Sequence, residues 1–171
     1  RLRLWANGRL PAAGAGVPTG WAQGQGGLLD VAVDPDFTNN GRIYFSYAEV
    51  GGSGTAGTAV MRAKLGAAGL SEQTVIFRQM PKLSSGNHFG SRLVFARDGT
   101  LFVTLGDRFT QRDRAQALDN HFGKIVRIGA DGSVPRDNPF VGRPDALPEI
   151  HSYGHRNVQG AALHPVTGQL W

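Results

Sequence analysis

The chain has 171 residues, enough for one domain of ordinary size with a hydrophobic core. Its 25 glycines and 9 prolines are about a fifth of the residues, against roughly 12% in an average protein, which argues against a helix bundle. It has no cysteine, so disulfides, thiolate metal sites and cysteine nucleophiles are excluded. No apolar run approaches the roughly 18 residues of a membrane span, and the net charge of +5 is spread along both halves. We therefore expect neither a membrane nor a nucleic-acid partner.

Apolar stretches alternate with turn residues along the whole chain, which predicts strand after strand. Two of these stretches flank Asp98-Gly99, a strong hairpin signal. A turn or two of helix is predicted between Arg112 and Leu118, and the chain as a whole is predicted to be all-β. The predicted strands are Leu28–Val33, Ile43–Tyr47, Ala59–Lys64, Thr74–Arg78, Arg92–Phe95, Leu101–Thr104, Lys124–Ile128 and Ile150–Tyr153.

An internal repeat predicts the architecture. Residues 27–45, 90–103 and 160–171 share one outline: glycine, apolar strand, turn, glycine, apolar strand. The second glycines of the three segments lie 58 and 69 residues apart, a spacing that indicates one four-stranded β-propeller blade per repeat. The chain holds not quite three such repeats, whereas a closed ring needs roughly 4–8 blades. We therefore expect part of a larger propeller, with open blade edges through which it could self-associate.

Two segments that precede strands carry candidate functional residues. In Gly24-Gln25-Gly26-Gly27 the glycines allow a tight turn that leaves the amide of Gln25 projecting; a plain blade-entry loop is the alternative. His88, within residues 84–90, is placed to look into a propeller channel as a general base; a structural hydrogen-bonding histidine is the alternative. His121 stands in the same Asn-His-Phe-Gly sequence, also before a strand. Periodicity does not choose between the two histidines.

Residues 153–160 place Arg156 and Asn157 in a glycine-bounded turn. A fixed cation beside an amide suits a planar anionic or quinonoid ligand, although an arginine tied into a carboxylate pair is the alternative. His151 and His155 lie four residues apart but lack an acidic third ligand, so we expect no metal site there.

One further polar stretch follows a predicted strand. It consists of Gly106-Asp107-Arg108 with Gln111 close behind. Polar residues directly after a strand are typical of a solvated turn, and we interpret this stretch as one.

Taken together, these segments resemble the soluble PQQ-dependent sugar dehydrogenases, and more narrowly the bacterial aldose sugar dehydrogenase branch. The resemblance rests on residues 23–37, 88–95, 99–108 and 153–160, with support from 123–128 and 132–140. It implies a six-bladed β-propeller, of which residues 1–171 would form one partial domain, about half. It also implies an oxidoreductase that oxidises the C1 hydroxyl of an aldose to a lactone and passes a hydride to pyrroloquinoline quinone (PQQ).

The resemblance assigns roles to individual residues. The family's general base falls on His88 rather than on His121. Arg156 and Asn157 match its pair at the quinone edge, which makes Arg156 both a catalytic and a cofactor-binding candidate. Gln25 matches the family's glutamine contact to the cofactor. The substrate-binding candidates are Asn87 and Gln111, although the loop of Gln111 departs from the family pattern.

The resemblance also implies components outside this sequence. The family's calcium ion, which bridges protein and PQQ, would be held by residues beyond Trp171, so no metal ligand is expected here. The basic residues that hold the PQQ carboxylates would also come later, and we expect the chain alone to bind PQQ weakly or not at all. An aldose is the expected partner, the electron acceptor is not identified, and a periplasmic or secreted location is implied.

Three other functions compete with the enzyme. The first is a binding module of the same fold that has lost its redox activity, and the second is an inactive fragment. The third is a calcium-dependent lactonase, which needs a ring of acidic and amide ligands in the channel that the sequence does not show. The retained Gln25, His88, Arg156 and Asn157 favour the dehydrogenase.

Overall fold

The computed structural model describes residues 2–5, 8–9 and 14–171. Within these ranges, the strands form two four-stranded antiparallel sheets, each with its strands in chain order. The first sheet consists of β1 (Leu28–Val33), β2 (Arg42–Val50), β3 (Ala56–Gly66) and β4 (Gly69–Arg78). The second consists of β5 (Gly90–Phe95), β6 (Leu101–Leu105), β7 (Ile125–Ile128) and β8 (Ile150–Ser152). This is the meander of two successive propeller blades, as the repeat predicted.

Among the described residues, helical structure is limited to short turns. A one-turn helix, α1 (Phe37–Asn40), follows Asp36, and 3-10 turns cover Gly52–Gly54 and Arg112–Gln116. The sequence indicated the last of these but not α1, which occupies the turn between the first two strands. None of the helices in the described ranges is long and apolar enough to cross a membrane.

The repeating glycines occupy equivalent turns. The φ angles are 64° at Gly41, 83° at Gly99 and 72° at Gly168. This left-handed backbone conformation is sterically easy for glycine and strained for residues with a side chain. The third repeat opens a further hairpin, in which Ala162 and Trp171 exchange backbone hydrogen bonds of 2.9 and 2.8 Å. The sequence repeat therefore corresponds to a structural repeat of two complete blades and the start of another.

The two sheets share one hydrophobic core. The face of the first sheet that is turned away from this core buries a second hydrophobic cluster, around Phe45 and Tyr47. A sheet that buries apolar side chains on both faces is suited to a position between two neighbours, as a propeller blade requires. The buried residues of the shared core are Tyr44, Val60, Ile76, Phe77, Leu93, Leu101, Val103, Leu105, Val126 and Ile128.

Hydroxyl groups of the first sheet hold the beginning of β5 in place. Ser46 Oγ donates a hydrogen bond to Ser91 O at 3.0 Å, and Thr58 Oγ1 donates one to Phe89 O at 2.9 Å. All four residues are buried, so these bonds form away from competing water. They fix the backbone directly after His88 and so locate the candidate site between the two blades.

Candidate active site

The loop after β6 connects two segments that are distant in sequence. The backbone N–H of Asp107 donates to Arg156 O at 2.7 Å, and that of Arg108 donates to His88 O at 3.3 Å. Gly106 allows this approach, because a Cβ atom there would collide with His88 O and lie 2.9 Å from the side-chain oxygen of Asn157. Two adjacent amides thus bring the His88 and Arg156 segments to the same end of the second sheet.

The imidazole of His88 is held by a carboxylate. Its Nδ1 atom lies 2.7 Å from Asp107 Oδ1, and its side chain is 14% exposed. A carboxylate only accepts hydrogen bonds, so the proton of a neutral His88 is on Nδ1. No residue in the described ranges forms a hydrogen bond with Nε2. The lone pair of Nε2 is therefore available to accept a proton from a ligand.

Asp107 lies beneath this histidine and corrects one sequence prediction. The segment Gly106-Asp107-Arg108 was expected to be a solvated turn, but Asp107 and Arg108 are fully buried. Asp107 Oδ1 also accepts a hydrogen bond from the backbone N–H of Phe109 at 2.8 Å. Its Oδ2 atom is buried and has no hydrogen-bond partner in the part of the chain that the structure describes, and Arg156 Nη1 lies 3.7 Å away. The expectation failed because partners from distant segments, which no local pattern reveals, cover this turn.

Arg156, Gln25 and Asn157 gather around the same loop. The Arg156 side chain is 59% exposed, and its guanidinium lies 5.8 Å from the ring centre of Phe109. Gln25 Oε1 accepts the backbone N–H of His88 at 2.8 Å. Asn157 Oδ1 accepts the backbone N–H of Gly90 at 3.0 Å. The structure therefore brings Gln25, His88, Arg156 and Asn157 together, and the roles that the resemblance gave them stay predictions.

The two substrate-binding candidates are placed differently. Asn87 precedes His88, is half-buried, and its carbonyl accepts a hydrogen bond from Arg108 Nε at 3.0 Å. The side chain of Gln111 donates to Thr110 Oγ1 at 3.4 Å. Within the described ranges it forms no hydrogen bond with the residues around His88. A substrate role for either residue stays a prediction.

His121 lies in the core, away from these groups. Its Nδ1 atom accepts the backbone N–H of Met80 at 2.8 Å, so Nε2 carries the proton and donates to Glu149 Oε1, also at 2.8 Å. The ring also makes an edge contact with Phe77, at 5.1 Å between centres. Burial tends to raise the pKa of Glu149, but the hydrogen bond from His121 holds it below its ordinary value. With both nitrogens engaged, His121 is a structural histidine.

The groups around His88 fit an oxygen-rich ligand. No described residue accepts a hydrogen bond from the side-chain nitrogens of Gln25 or Asn157, and the Arg156 guanidinium faces solvent. All three groups are donors, which matches the carbonyl and carboxylate oxygens of a quinone acid such as PQQ. One residue missed by the sequence analysis, Phe109, is 52% exposed and makes an edge contact with the His88 ring at 5.1 Å. No short sequence pattern predicted this neighbour of His88.

Metal-binding groups are not clustered in the described part of the chain, where no three His, Asp or Glu side chains are placed to hold an ion. His155 Nε2 is instead 2.8 Å from Ser152 Oγ. Burial lowers the pKa of both His151 and His155 below the ordinary histidine value. Burial therefore favours the neutral form of both imidazoles.

Comparison with known proteins covers the whole chain. The Glucose / Sorbosone dehydrogenase family matches residues 1–171. The aldose sugar dehydrogenase YliI of Escherichia coli strain K12 is 52% identical in an alignment of 174 positions, which covers 99% of this chain and 46% of that protein. The solved structure of a glucose dehydrogenase has a TM-score of 0.97 at 52% identity, over 100% of this chain and 54% of the other.

A more distant structure is relevant to the cofactor. The PQQ-bound form of the aldose sugar dehydrogenase from Streptomyces coelicolor has a TM-score of 0.76 at 28% identity, over 95% of this chain and 46% of the other. The chain spans about half the length of the curated relatives it matches. The match to the family along residues 1–171 and the two propeller blades agree with each other: the chain belongs to the Glucose / Sorbosone dehydrogenase family.

Proposed function

We propose that the full-length protein is a PQQ-dependent dehydrogenase that oxidises the C1 hydroxyl of an aldose to the lactone. The observation that carries this proposal is the pairing of His88 Nδ1 with Asp107, which leaves Nε2 without a described partner beside the exposed Arg156. The sugar dehydrogenase names of the relatives and the PQQ-bound relative support the same chemistry. Residues 1–171 would be about half of the propeller domain that carries it.

His88 is the general base in this proposal. Its Nε2 atom takes the proton of the C1 hydroxyl, and removing that proton makes the hydrogen on C1 easier to lose as hydride. When bound, PQQ would supply the hydride acceptor. Asp107 keeps the proton of neutral His88 on Nδ1 and stabilises the imidazolium that forms. The chain's own part in the reaction is thus to hold and move one proton.

Arg156, Gln25 and Asn157 are the cofactor-binding residues of the proposal. Arg156 provides a fixed positive charge for ligand oxygens that gain electron density, and it needs no reorganisation to do so. The amide nitrogens of Gln25 and Asn157 donate further hydrogen bonds, because their oxygens already accept backbone N–H groups. Because each amide oxygen is held by a backbone N–H, the amide nitrogen is left to face the ligand.

Two components would come from outside residues 1–171. On the strength of the family resemblance, we propose that later residues hold a calcium ion and the cations that bind the PQQ carboxylates. A periplasmic or secreted location is proposed on the same ground. Both statements can be checked on the full-length protein, by calcium titration and by cell fractionation.

The proposed reaction is tested by identifying its product. Purified full-length protein is incubated with PQQ, calcium, a panel of aldoses and an electron-accepting dye, and the product is examined by NMR. We expect dye reduction that requires both PQQ and sugar, with the lactone as the first product. Sugar-independent reduction, or oxidation at another carbon, would contradict the proposal. A protein that binds sugar without reducing the dye would be the binding module instead.

A further inference from the structure

Arg108 is a buried arginine without an acidic partner in the described part of the chain. Its side chain is fully buried, and no described carboxylate lies within ion-pair distance of it. Burial lowers its pKa to about 10, which still leaves the guanidinium charged at neutral pH. Burying an unpaired charge costs free energy, so the hydrogen bonds of the guanidinium must compensate for its lost hydration.

Backbone carbonyls satisfy the guanidinium instead of a carboxylate. Arg108 Nε donates to Asn87 O at 3.0 Å, Nη1 donates to Ala56 O at 2.6 Å, and Nη2 donates to Ser85 O. The guanidinium also lies over the ring of Phe89, 3.8 Å from its centre. The planar group therefore reaches β3 of the first blade and the segment 85–89 at the same time.

The residues bound by Arg108 surround His88. Ser85 and Asn87 precede it, Phe89 follows it, and the backbone N–H of Arg108 itself donates to His88 O. His88 and Arg108 have φ angles of 53° and 55°, a left-handed conformation that is uncommon for residues other than glycine. Such conformations persist where surrounding contacts fix them, and they concentrate at functional sites.

We propose that Arg108 is a positioning residue that fixes segment 85–89, so that the His88 imidazole remains hydrogen-bonded to Asp107 in its reactive orientation. This inference rests on the proposed role of His88 as the base. Arg108 is held away from the ligand by complete burial, so it acts through His88 and not by contact with the sugar. A lysine could keep the charge, but it lacks the planar fork with which Arg108 reaches the carbonyls of Ala56, Ser85 and Asn87 together.

Lys124 offers a matched control. It is also fully buried, and its ammonium donates to three carbonyls, those of Arg114, Ala115 and Phe122, at 3.3, 2.9 and 2.6 Å. Those carbonyls belong to the segment 114–122, which contains none of the proposed site residues. Loss of this buried cation should therefore affect stability without acting on His88.

The test is a double-mutant cycle in the full-length protein with PQQ and calcium. Arg108→Met, Arg108→Lys and Lys124→Met are made alone and with His88→Ala, and kcat, KM and the melting temperature are measured. We expect Arg108→Met to lower kcat by roughly 10- to 100-fold, the scale of a small misplacement of a reacting group, with KM changed by only a few-fold. On the His88→Ala background the same change should cost less than about threefold, because the effect passes through His88.

A readout besides activity comes from NMR of the protein with labelled histidines. We expect Arg108→Lys to move the ring signals of His88 and to leave those of His121 in place. Lys124→Met should lower the melting temperature while kcat stays within about threefold of the wild type.

Several results would overturn the inference. Losses of equal factor in both backgrounds would show that Arg108 does not act through His88. The same is shown by unchanged His88 signals, by equal kcat losses in Lys124→Met, or by normal kcat in Arg108→Met. Failure of both Arg108 variants to fold would assign Arg108 to folding alone. Near-normal turnover in His88→Ala would instead show that His88 is not the base. That result contradicts the proposed function, and it differs from equal Arg108 losses in the two backgrounds, which would contradict only the inference.

Discussion

The carboxylate of Asp107 binds His88 through Oδ1, 2.7 Å from Nδ1, while its buried Oδ2 atom has no hydrogen-bond partner among the described residues. Arg156 Nη1 stands 3.7 Å from Oδ2, within reach of charge attraction but beyond hydrogen-bond distance. A single buried anion therefore lies between the proposed base and the proposed cation, and a change at Asp107 should affect the site more than any other change in its loop.

Asp107→Asn tests this relationship with little change of shape. We expect kcat to fall by about 10²-fold or more, because the imidazole loses the anion that orients it and stabilises its protonated form. The melting temperature should change little, because the Oδ1 atom of an asparagine can still accept the hydrogen bonds from His88 and Phe109. Steady-state kinetics and thermal melting of the full-length protein provide the measurements.

The control for Asp107→Asn is Asp145→Asn. Asp145 pairs with Arg143 on the exposed surface, where such a pair contributes little. The kcat of Asp145→Asn should therefore match that of the wild type. A kcat for Asp107→Asn within threefold of the wild type would show that His88 does not depend on this carboxylate.

Arg156→Ala should impair both cofactor binding and turnover. The guanidinium is exposed at the site and would meet the ligand before and during the reaction, so its loss affects ground and transition states alike. Titration of the cofactor-free full-length protein with PQQ, followed by dye-reduction kinetics, separates the two effects. Arg143→Ala, on the exposed surface, should leave both unchanged. Unaltered PQQ affinity in Arg156→Ala would show that Arg156 does not bind the cofactor.

The pair of His121 and Glu149 predicts a pH dependence of stability. Burial opposes ionisation of Glu149, but the His121 hydrogen bond outweighs it and lowers the carboxyl pKa below 4.5. The folded state then binds fewer protons than the unfolded state near that pH, so the stabilisation is present above about 4.5 and is lost as the pH falls through the folded-state value. Glu149→Gln should therefore cost about 1–3 kcal/mol at neutral pH, the range for hydrogen bonds to charged groups.

Urea unfolding of wild-type protein and Glu149→Gln, from about pH 7 down to about pH 3, measures this difference across the carboxyl titration. We expect the gap between the two proteins to narrow below about pH 4.5. A gap that is independent of pH would contradict the assigned ionisation. Activity of the folded variant should match the wild type, because the contacts of His121 are with Met80, Glu149 and Phe77, none of which is a proposed site residue.

The fold was largely predictable because its signals are local. Each predicted strand has a counterpart, and Gly41, Gly99 and Gly168 mark the same turn in the repeats. The short helix α1 was missed, since a four-residue turn carries no helical periodicity.

The site was less predictable, because its geometry depends on distant segments. His88 and His121 share one four-residue sequence, yet His121 Nδ1 is occupied by the backbone of Met80, from another part of the chain. The strand pattern could not separate them, and only the resemblance favoured His88. Asp107 was misjudged for the same reason, since its burial depends on the segments of His88 and Arg156.

The central claim is tested most directly by kcat for aldose oxidation in His88→Ala full-length protein, reconstituted with PQQ and calcium and assayed by dye reduction. The account predicts a loss of roughly 10²–10⁴-fold, the range for removal of a general base. PQQ affinity should stay within a few-fold of the wild type, and His121→Ala should cost stability without a comparable loss of kcat. Near-normal turnover in His88→Ala would contradict the account, because the base would then be another group.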